Sequence, residues 1–564
     1  MSPRRAIVVG AGVGGLTAAM KLAHQGWDVQ LFEKQDSPGG RCGRLAVGGF
    51  TFDLGPTILL MPFVLKRTFA SVGRRLQDYL ALTRCDPNYR VTWRDGSTLT
   101  LSGDLDVMRG ELERLEPGSF QRFLAFLAKG QVRHDVSMER FVSKHFASLA
   151  EFLTPRNLPD LFRVGAHQRL YAQVSKAFGD ERLRQAFSFQ TMYLGVSPYE
   201  APAVFSLLPY TELAVGVWYP QGGLGAIPLA LERVGREEGV RFHYRAPVKR
   251  VLQDAGRAVG VELESGERHL SEVVVVNADY PYALERLVDS AEARRQKLER
   301  RRYTSSGYML YLGVRRRLEP LLHHNVFFGR DFEGSFADIF ERRQVPEDPS
   351  FYVNAPVRTD ESMAPAGKDA LYVLVPVPHQ APGLDWKVEG PKVRAKVFAR
   401  LAELGLGDLE RDVEVERVAT PDDWASSLNL ARGAAFGLAQ SMFQLGPFRP
   451  KVWDERVQNL FYCGASTQPG TGVPTVMISA DLAVQAVEGR AHAGARRTGR
   501  AFAGPDRQID DQNDESVAVA LVTRSRGTVA ASTAGNQAGP PSPRPTPSAS
   551  PARTIGAPSR GTSS

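Results

Sequence analysis

Four apolar residues, Ala6-Ile7-Val8-Val9, run without interruption into Gly10-Ala11-Gly12-Val13-Gly14-Gly15, and this junction constrains the fold more than any other part of the chain. Such a run reads as a buried strand. Leu16, Ala19, Met20 and Ala23 then recur at helical spacing, Gly26 ends the helix, and Val29, Leu31 and Phe32 form a second strand closing on Glu33. The result is a complete β-α-β unit. Gly10 permits the tight turn, Gly12 lets backbone approach a pyrophosphate and Gly15 allows close packing of helix on strand, while the helix N-terminus offers unpaired N–H groups to phosphates. Glu33, 18 residues beyond Gly15, is placed to accept hydrogen bonds from ribose hydroxyls and to repel a 2′-phosphate, which disfavours NADP.

Composition narrows the class. The 564 residues are 43% hydrophobic and 23% charged, which describes an ordinary globular chain with a large core and excludes collagenous, coiled-coil and wholly disordered classes. Three cysteines, Cys42, Cys85 and Cys463, lie far apart without any C-x-x-C, so neither a disulfide framework nor a zinc site is expected and a reducing compartment fits. No stretch reaches the roughly 18 consecutive apolar residues of a spanning helix, and glycines interrupt any signal-like helix at the start of the chain. The net charge of +8 owes much to residues 524–564, which hold five arginines and no acid, so nucleic acid is not expected as a partner. After Phe502 there is no aromatic residue, and seven prolines follow from Pro540, so the tail, 491–564, is expected to be disordered.

The fold class expected is α/β, with a Rossmann-like domain assembled from discontinuous segments and an inserted domain of mixed sheet and helices. Strand-rich patches near 6–58, 242–279 and 457–487 are separated by two long insertions. The division expected is a nucleotide-binding domain from 1–90, 241–290 and 451–490, a helical substrate- and membrane-facing region at 91–240, and a second substrate part at 291–450. Within these, Ala370 to Val377 reads as a strand and 391–404 as a helix; Ala246 to Val251 reads as half of a hairpin completed by Val273 to Val276. His323-His324 is expected in a surface turn.

Further blocks identify a family. Ser37-Pro38-Gly39-Gly40-Arg41 brings glycines and a guanidinium where backbone passes close to phosphates, and Phe52-Asp53-Leu54-Gly55-Pro56-Thr57 follows a Gly-bounded strand. With the opening unit, these resemble the FAD-dependent amine oxidase and carotenoid desaturase superfamily. Asn459-Leu460-Phe461-Tyr462-Cys463-Gly464-Ala465-Ser466-Thr467-Gln468-Pro469-Gly470-Thr471-Gly472-Val473-Pro474 resembles, position by position, the signature of bacterial-type phytoene desaturases; Arg184 to Phe189 and Gly216 to Gly223 also look like this family. The resemblance runs from about residue 5 to 490 and implies layers of the glutathione-reductase type, with FAD as cofactor. The cofactor-binding residues it implies are Gly10, Gly12, Gly14, Gly15, Glu33, Lys34, Gly40, Arg41, Gly55, Pro56, Thr57, Val248, Asn277, Gly464, Gly472, Val473 and Met477. Phe187, Phe189, Trp218 and Tyr219 are the substrate residues implied.

The activity implied is desaturation of phytoene toward lycopene, each step passing a hydride to flavin, with oxygen or a quinone as final electron acceptor. No catalytic base is assigned: Asp53, Glu200 and Glu212 are conceivable acids, and Arg169 beside His167 and Gln168 stands no higher. Alternatives within the fold are a C30 diapophytoene desaturase, a 3,4-desaturase of hydroxylated carotenoids, a ketolase or a saturase. Of another functional class are a prenyl-binding escort resembling the GDP-dissociation inhibitors, which share the architecture without redox chemistry, and an amine oxidase. No G-x-S-x-G, Walker or H-E-x-x-H pattern is present and no metal is required. Because a C40, or alternatively C30, hydrocarbon is nearly absent from water, the lipid surface is an expected partner and the location expected is cytoplasmic and peripheral to the membrane. Residues Met138 to Lys176 hold six Lys or Arg against three acids among Phe141, Phe146, Phe152 and Phe162, a composition suited to the headgroup region.

Overall fold

Alternation along the first strand explains the layering. A computed structural model describes residues 4–289 and 292–497. Arg5–Val9 sits inside a five-stranded parallel sheet whose order is Leu460–Tyr462, Val273–Val276, Arg5–Val9, Asp28–Phe32, Arg241–His243. Ala6, Val8, Val29, Leu31 and Val275 face a layer built on the helix Val13–His24, flanked by Ala226–Glu237 and Val473–Arg497. Ile7, Val9, Val274 and Val276 face the other way, onto Val251, Ala258 and Val261 of a three-stranded antiparallel sheet. Side chains one residue apart therefore serve opposite layers, as strand geometry dictates, and the three layers are those of the expected α/β class.

Details of pairing and of helix bounds depart from the sequence reading. The hairpin partner of Val248–Asp254 is Arg257–Leu263, whereas Val273–Val276 pairs in parallel with Arg5–Val9 and with Leu460–Tyr462. Four valines with both faces buried suit the centre of a parallel sheet, where nothing polar alternates. The helix expected at 391–404 begins earlier, at Trp386–Leu401, because the Asp385 carboxylate accepts from the Lys387 N–H and caps its start.

The second sheet has seven strands in the order Val413–Ala419, Ser306–Val314, Asp369–Val377, Phe351–Asn354, His324–Phe327, Tyr89–Thr92, Thr98–Leu101. Its neighbours run antiparallel except His324–Phe327 with Tyr89–Thr92. Along Ser306–Val314 the alternation recurs: Tyr308, Leu310 and Leu312 pack on the helix Trp386–Leu401, while Met309 and Tyr311 turn toward Phe50, Phe52 and Trp424. Helices between Leu105 and Ala186 close the remaining side, started by the Asp104 and Asp180 carboxylates accepting from backbone N–H groups.

The pair His323-His324 is not in a surface turn. Both rings are buried, and His324 opens a strand of the seven-stranded sheet. Burial pulls the His323 pKa down to about 3. The helix Val473–Arg497 runs past the 491 boundary drawn for a tail, and the rest of that segment lies outside the described residues.

Candidate active site

The glycines of the opening unit form a cradle because Gly12, Gly14 and Gly15 have no room for a side chain and Gly10 has a backbone conformation that side chains disfavour. Gly10 holds φ +98°; a Cβ on Gly12 would lie 2.7 Å from Asn277 Oδ1, and one on Gly14 2.6 Å from Asn277 Nδ2 and 3.0 Å from Val476. Gly12 caps the helix Val13–His24 with no side chain bonded across the end, leaving its first N–H groups facing a cavity. The Gly39 N–H donates to Ala11 O at 2.8 Å and Gly12 bridges Gly39, which lays the second glycine block against the first. A second helix, Val473–Arg497, begins at the same cavity with Gly472 and Val473 in its wall. Segments distant in sequence thus converge on one cleft with two helix N-termini.

The cavity measures about 1050 Å³. Its wall includes Gly10, Gly12, Gly14, Glu33, Lys34, Gly40, Arg41, Gly55, Pro56, Thr57, Val248, Asn277, Gly464, Gly472 and Val473. The Glu33 carboxylate accepts from the N–H groups of Ala11 at 2.6 Å and Gln35 at 2.9 Å, so it is already fixed at the end of the second strand. Burial lowers the Lys34 pKa, opposed by Glu33, and lowers that of Arg41, opposed by Asp279. Arg41 donates to the Ala435 carbonyl at 3.2 Å.

Two sequence-derived sites lie elsewhere. Gly15 is absent from the wall because its place is behind it: a Cβ there would drive into the Gly10 carbonyl oxygen. Met477 is fully buried with Ile478 in the core between helix and sheet and is absent from the wall, although its neighbour Val476 lines it.

The signature loop is held by Arg449, whose importance the sequence did not disclose, together with residues that it did. Arg449 is 2% exposed, and its guanidinium donates to the carbonyls of Thr467, Ala439, Gln444, Leu438 and Ala465, while burial pulls its pKa to about 9. An arginine satisfied by carbonyls alone is a clamp for irregular backbone. Ser466 donates to Asp279 at 2.7 Å, and Asn277 Nδ2 donates to the Cys463 carbonyl at 2.9 Å. Gln468 ties the loop outward by donating to the Phe146 and Gly446 carbonyls and accepting from the Phe146 N–H.

Away from the glycines the cavity becomes apolar, walled by Phe189, Met192, Tyr193, Phe205, Phe328 and Phe336. Of the four substrate residues expected, only Phe189 lies in the wall. Phe187 is packed among Phe123, Phe126 and Phe178. Trp218 and Tyr219 belong to the strand Val217–Pro220, paired with Leu82–Cys85; Trp218 bonds the Val215 carbonyl and Tyr219 packs on His323, and neither lies in the wall. Apart from Phe189, the aromatics that line it here come from segments with no family motif, and their position in the fold reveals them.

The conceivable acids separate clearly. Asp53 accepts from the N–H groups of Leu224 and Gly225 at 2.9 and 2.8 Å and secures a turn; burial pushes its pKa to about 6. Glu200 is exposed and ion-paired with Arg302. Glu212 is fully buried behind the wall, accepting from the Tyr89 hydroxyl at 2.7 Å, and burial pushes its pKa to about 7. Arg169 is not in the wall, although His167 is.

Comparison with known proteins agrees with this geometry. The family profile described as flavin containing amine oxidoreductase matches residues 13–488. A zeta-carotene-forming phytoene desaturase of Myxococcus xanthus is 64% identical over 491 residues, covering 87% of this chain and 95% of that protein. An all-trans-zeta-carotene desaturase of the same organism is 38% identical over 492 residues, covering 86% and 93%. An oxidoreductase structure from Methanosarcina mazei superposes with a TM-score of 0.57 at 20% identity, covering 86% of this chain and all of that one, and shows the same fold. The two helix N-termini, the bare glycine cradle and Glu33 bonded to it fit a dinucleotide, so the chain is an FAD-dependent oxidoreductase that belongs to the flavin-containing amine oxidoreductase family, in its carotenoid desaturase branch.

Proposed function

We propose that the chain desaturates phytoene in the apolar arm of the cavity, with zeta-carotene as the stage at which it stops. The observation that carries this reading is the continuity of one cavity from the glycine cradle into a wall of Phe, Met and Leu side chains. Reading onward to lycopene, as the signature block alone suggests, is less well supported, because the 64% identical relative is named for forming zeta-carotene. FAD, when bound, supplies the acceptor for a hydride. Gly10, Gly12, Gly14 and the Gly39-Gly40-Arg41 turn would hold its phosphates, Glu33 would take the ribose, Val248 would meet the adenine, and Gly55, Pro56, Thr57 and Gly472 would bound the reacting end. The aromatic wall then holds an extended hydrocarbon flat and excludes water, which is the positional contribution such chemistry needs. The division into a three-part nucleotide-binding module and an inserted substrate domain belongs to the same proposal.

The test is product analysis. Flavin-replete enzyme, phytoene in liposomes and a quinone acceptor, kept anaerobic, are expected to accumulate zeta-carotene; unchanged phytoene would overturn the reading, and lycopene would move the endpoint. Turnover supported by oxygen and not by the quinone would identify the other acceptor.

No described helix is long and apolar enough to cross a membrane. We propose that the chain rests peripherally on the cytoplasmic face of a membrane through a lip around the cavity. Phe162 is 67% and Phe443 74% exposed, and Phe152 packs on Gly446 to join the two segments that carry them. Phe146, by contrast, is buried against Phe152 at 5.1 Å between ring centroids, so it is part of the wall and not of the lip. Burying a phenylalanine gains about 1.5–3 kcal/mol. The variant Phe162→Ser/Phe443→Ser is therefore expected to bind liposomes at least about tenfold more weakly with its flavin retained. Cosedimentation equal to that of the unaltered chain would remove these residues from the docking surface.

A further inference from the structure

Cys85, His323 and His324 bring their ligating atoms within 4.8 Å of one another. Cys85, far from the adjacent His323 and His324 in sequence, meets them because it closes the strand Leu82–Cys85, which lies against Val217–Pro220, while His324 opens the strand His324–Phe327. They are 4%, 6% and 0% exposed. His323 Nδ1 lies 2.6 Å from Thr359 Oγ1, and His324 Nδ1 lies 2.6 Å from the Tyr352 hydroxyl. These bonds fix both rings and leave both Nε2 atoms buried without a partner. An unpartnered buried polar atom costs on the order of 1–3 kcal/mol, and two beside one thiol form a donor set with nothing to receive it.

We propose that this cluster binds one Cu(I) ion through Cys85 Sγ and the Nε2 atoms of His323 and His324. Thiolate and imidazole together suit a soft or borderline ion. Binding releases the thiol proton to solvent, so one thiolate and one Cu(I) sum to zero charge and no electron is transferred. Zn(II) in the same three ligands would leave a net positive charge in the interior, which costs several kcal/mol unless it is paired. No pairing is on offer: Arg358 and Asp360 act on His323 with opposite sign, and the Asp360 carboxylate is taken up by the Gln221 side chain and the Gly222 and Ser362 N–H groups.

Geometry supports the assignment. Metal–nitrogen and metal–sulfur distances of about 2.0 and 2.3 Å put the donors of a three-coordinate ion about 3.5–3.8 Å apart, so ligating atoms that lie within 4.8 Å of one another need close by about 1.3 Å at most. With the ion on Nε2, each Nδ1–H donates to its hydroxyl partner, the outer-shell arrangement that orients metal-binding imidazoles. Tyr352 then donates onward to Thr57 Oγ1 at 2.9 Å, linking the cluster to a residue of the cavity wall.

The test uses the full-length flavin-loaded protein, reduced and anaerobic, equilibrated with chelator-buffered Cu(I), desalted and assayed for metal. The expected result is about one copper per chain, with an X-ray absorption spectrum fitted by two nitrogens and one sulfur. Cys85→Ser and His324→Gln are expected to lower retained copper by at least about tenfold at unchanged flavin content. Retention below about 0.1 copper per chain, a spectrum without sulfur, or one equivalent of Zn(II) taken in preference to copper would each overturn the proposal. If the variants fail to fold, the absorption spectrum of the unaltered protein decides alone, because it reads the ligand set without any substitution.

Discussion

Gly15→Ala is expected to yield a purified protein carrying less than about a tenth of the normal flavin content, the largest loss expected from any single methyl group in this chain. The new Cβ would overlap the Gly10 carbonyl oxygen and lie 3.1 Å from Asn277 Cβ. Backbone meets backbone there, so no rotamer relieves the contact and the helix Val13–His24 must lift from the strand Arg5–Val9. Lifting it moves the uncapped N–H groups at Gly12 and Val13 away from the site where phosphates bind, and overpacking of this kind costs about 1–3 kcal/mol or more in stability. Gly110→Ala is the control, since nothing lies within 4 Å of a Cβ at that exposed position in the helix Leu105–Leu115. It is expected to bind flavin normally and to gain roughly 0.5–1 kcal/mol. Absorbance ratios of flavin to protein decide the matter; a Gly15→Ala protein with stoichiometric flavin would show that helix and strand need not be in contact.

What the sequence disclosed, and what it withheld, follows from range. The β-α-β unit is local: strand, glycines, helix and acid fall within Arg5–Glu33, and periodicity with turn chemistry suffices to place them. The signature block is local too, which is why Gly464, Gly472 and Val473 could be named in advance. The partner of Val273–Val276 was not legible, because four valines carry no alternation that says which neighbour they pair with, and parallel pairing is decided by distant chain. Arg449 gave no signal, since its acceptors are five carbonyls and carbonyls leave no mark on a sequence. Phe187 and Phe189 show the limit of motif transfer. Two residues apart on one irregular turn, one enters the aromatic core and the other the cavity, and only the path of the backbone separates them. His323-His324 was misplaced for the converse reason: a polar pair reads as surface unless hydroxyls from Thr359 and Tyr352 are there to meet it inside.

Glu212→Gln is expected to remove a pH dependence of stability worth about 3 kcal/mol, the second large effect. Glu212 is 0% exposed; Tyr89 donates to Oε2 at 2.7 Å, Gln190 Nε2 donates to the Tyr89 hydroxyl at 2.8 Å, and Oε1 has no partner. Burial raises the carboxyl from 4.5 to about 7, with Tyr89, Tyr193 and Gln190 opposing the rise. Because the folded pKa lies above the unfolded one, the folded chain holds a proton between about pH 4.5 and 7 that the unfolded chain has released. Stability therefore falls as pH rises through that window and stays low above it. A glutamine keeps the acceptor for Tyr89 and cannot ionise, so the variant should match the unaltered protein near pH 4.5 and exceed it by about 3 kcal/mol near pH 8. Asp53, raised to about 6, titrates in both proteins and cancels in their difference. Urea unfolding of the two proteins across pH 4.5–8 measures that difference; parallel profiles would mean that Glu212 is already solvated or neutralised by another route. The network backs directly onto the cavity, since Phe189 packs edge-on against Tyr89 at 5.5 Å and Tyr193 is itself in the wall. A protonated Glu212 keeps that wall uncharged, and a hydrocarbon substrate requires an uncharged wall. Loss of activity and loss of stability on the alkaline side are thus expected to share one origin, and the same glutamine should relieve both.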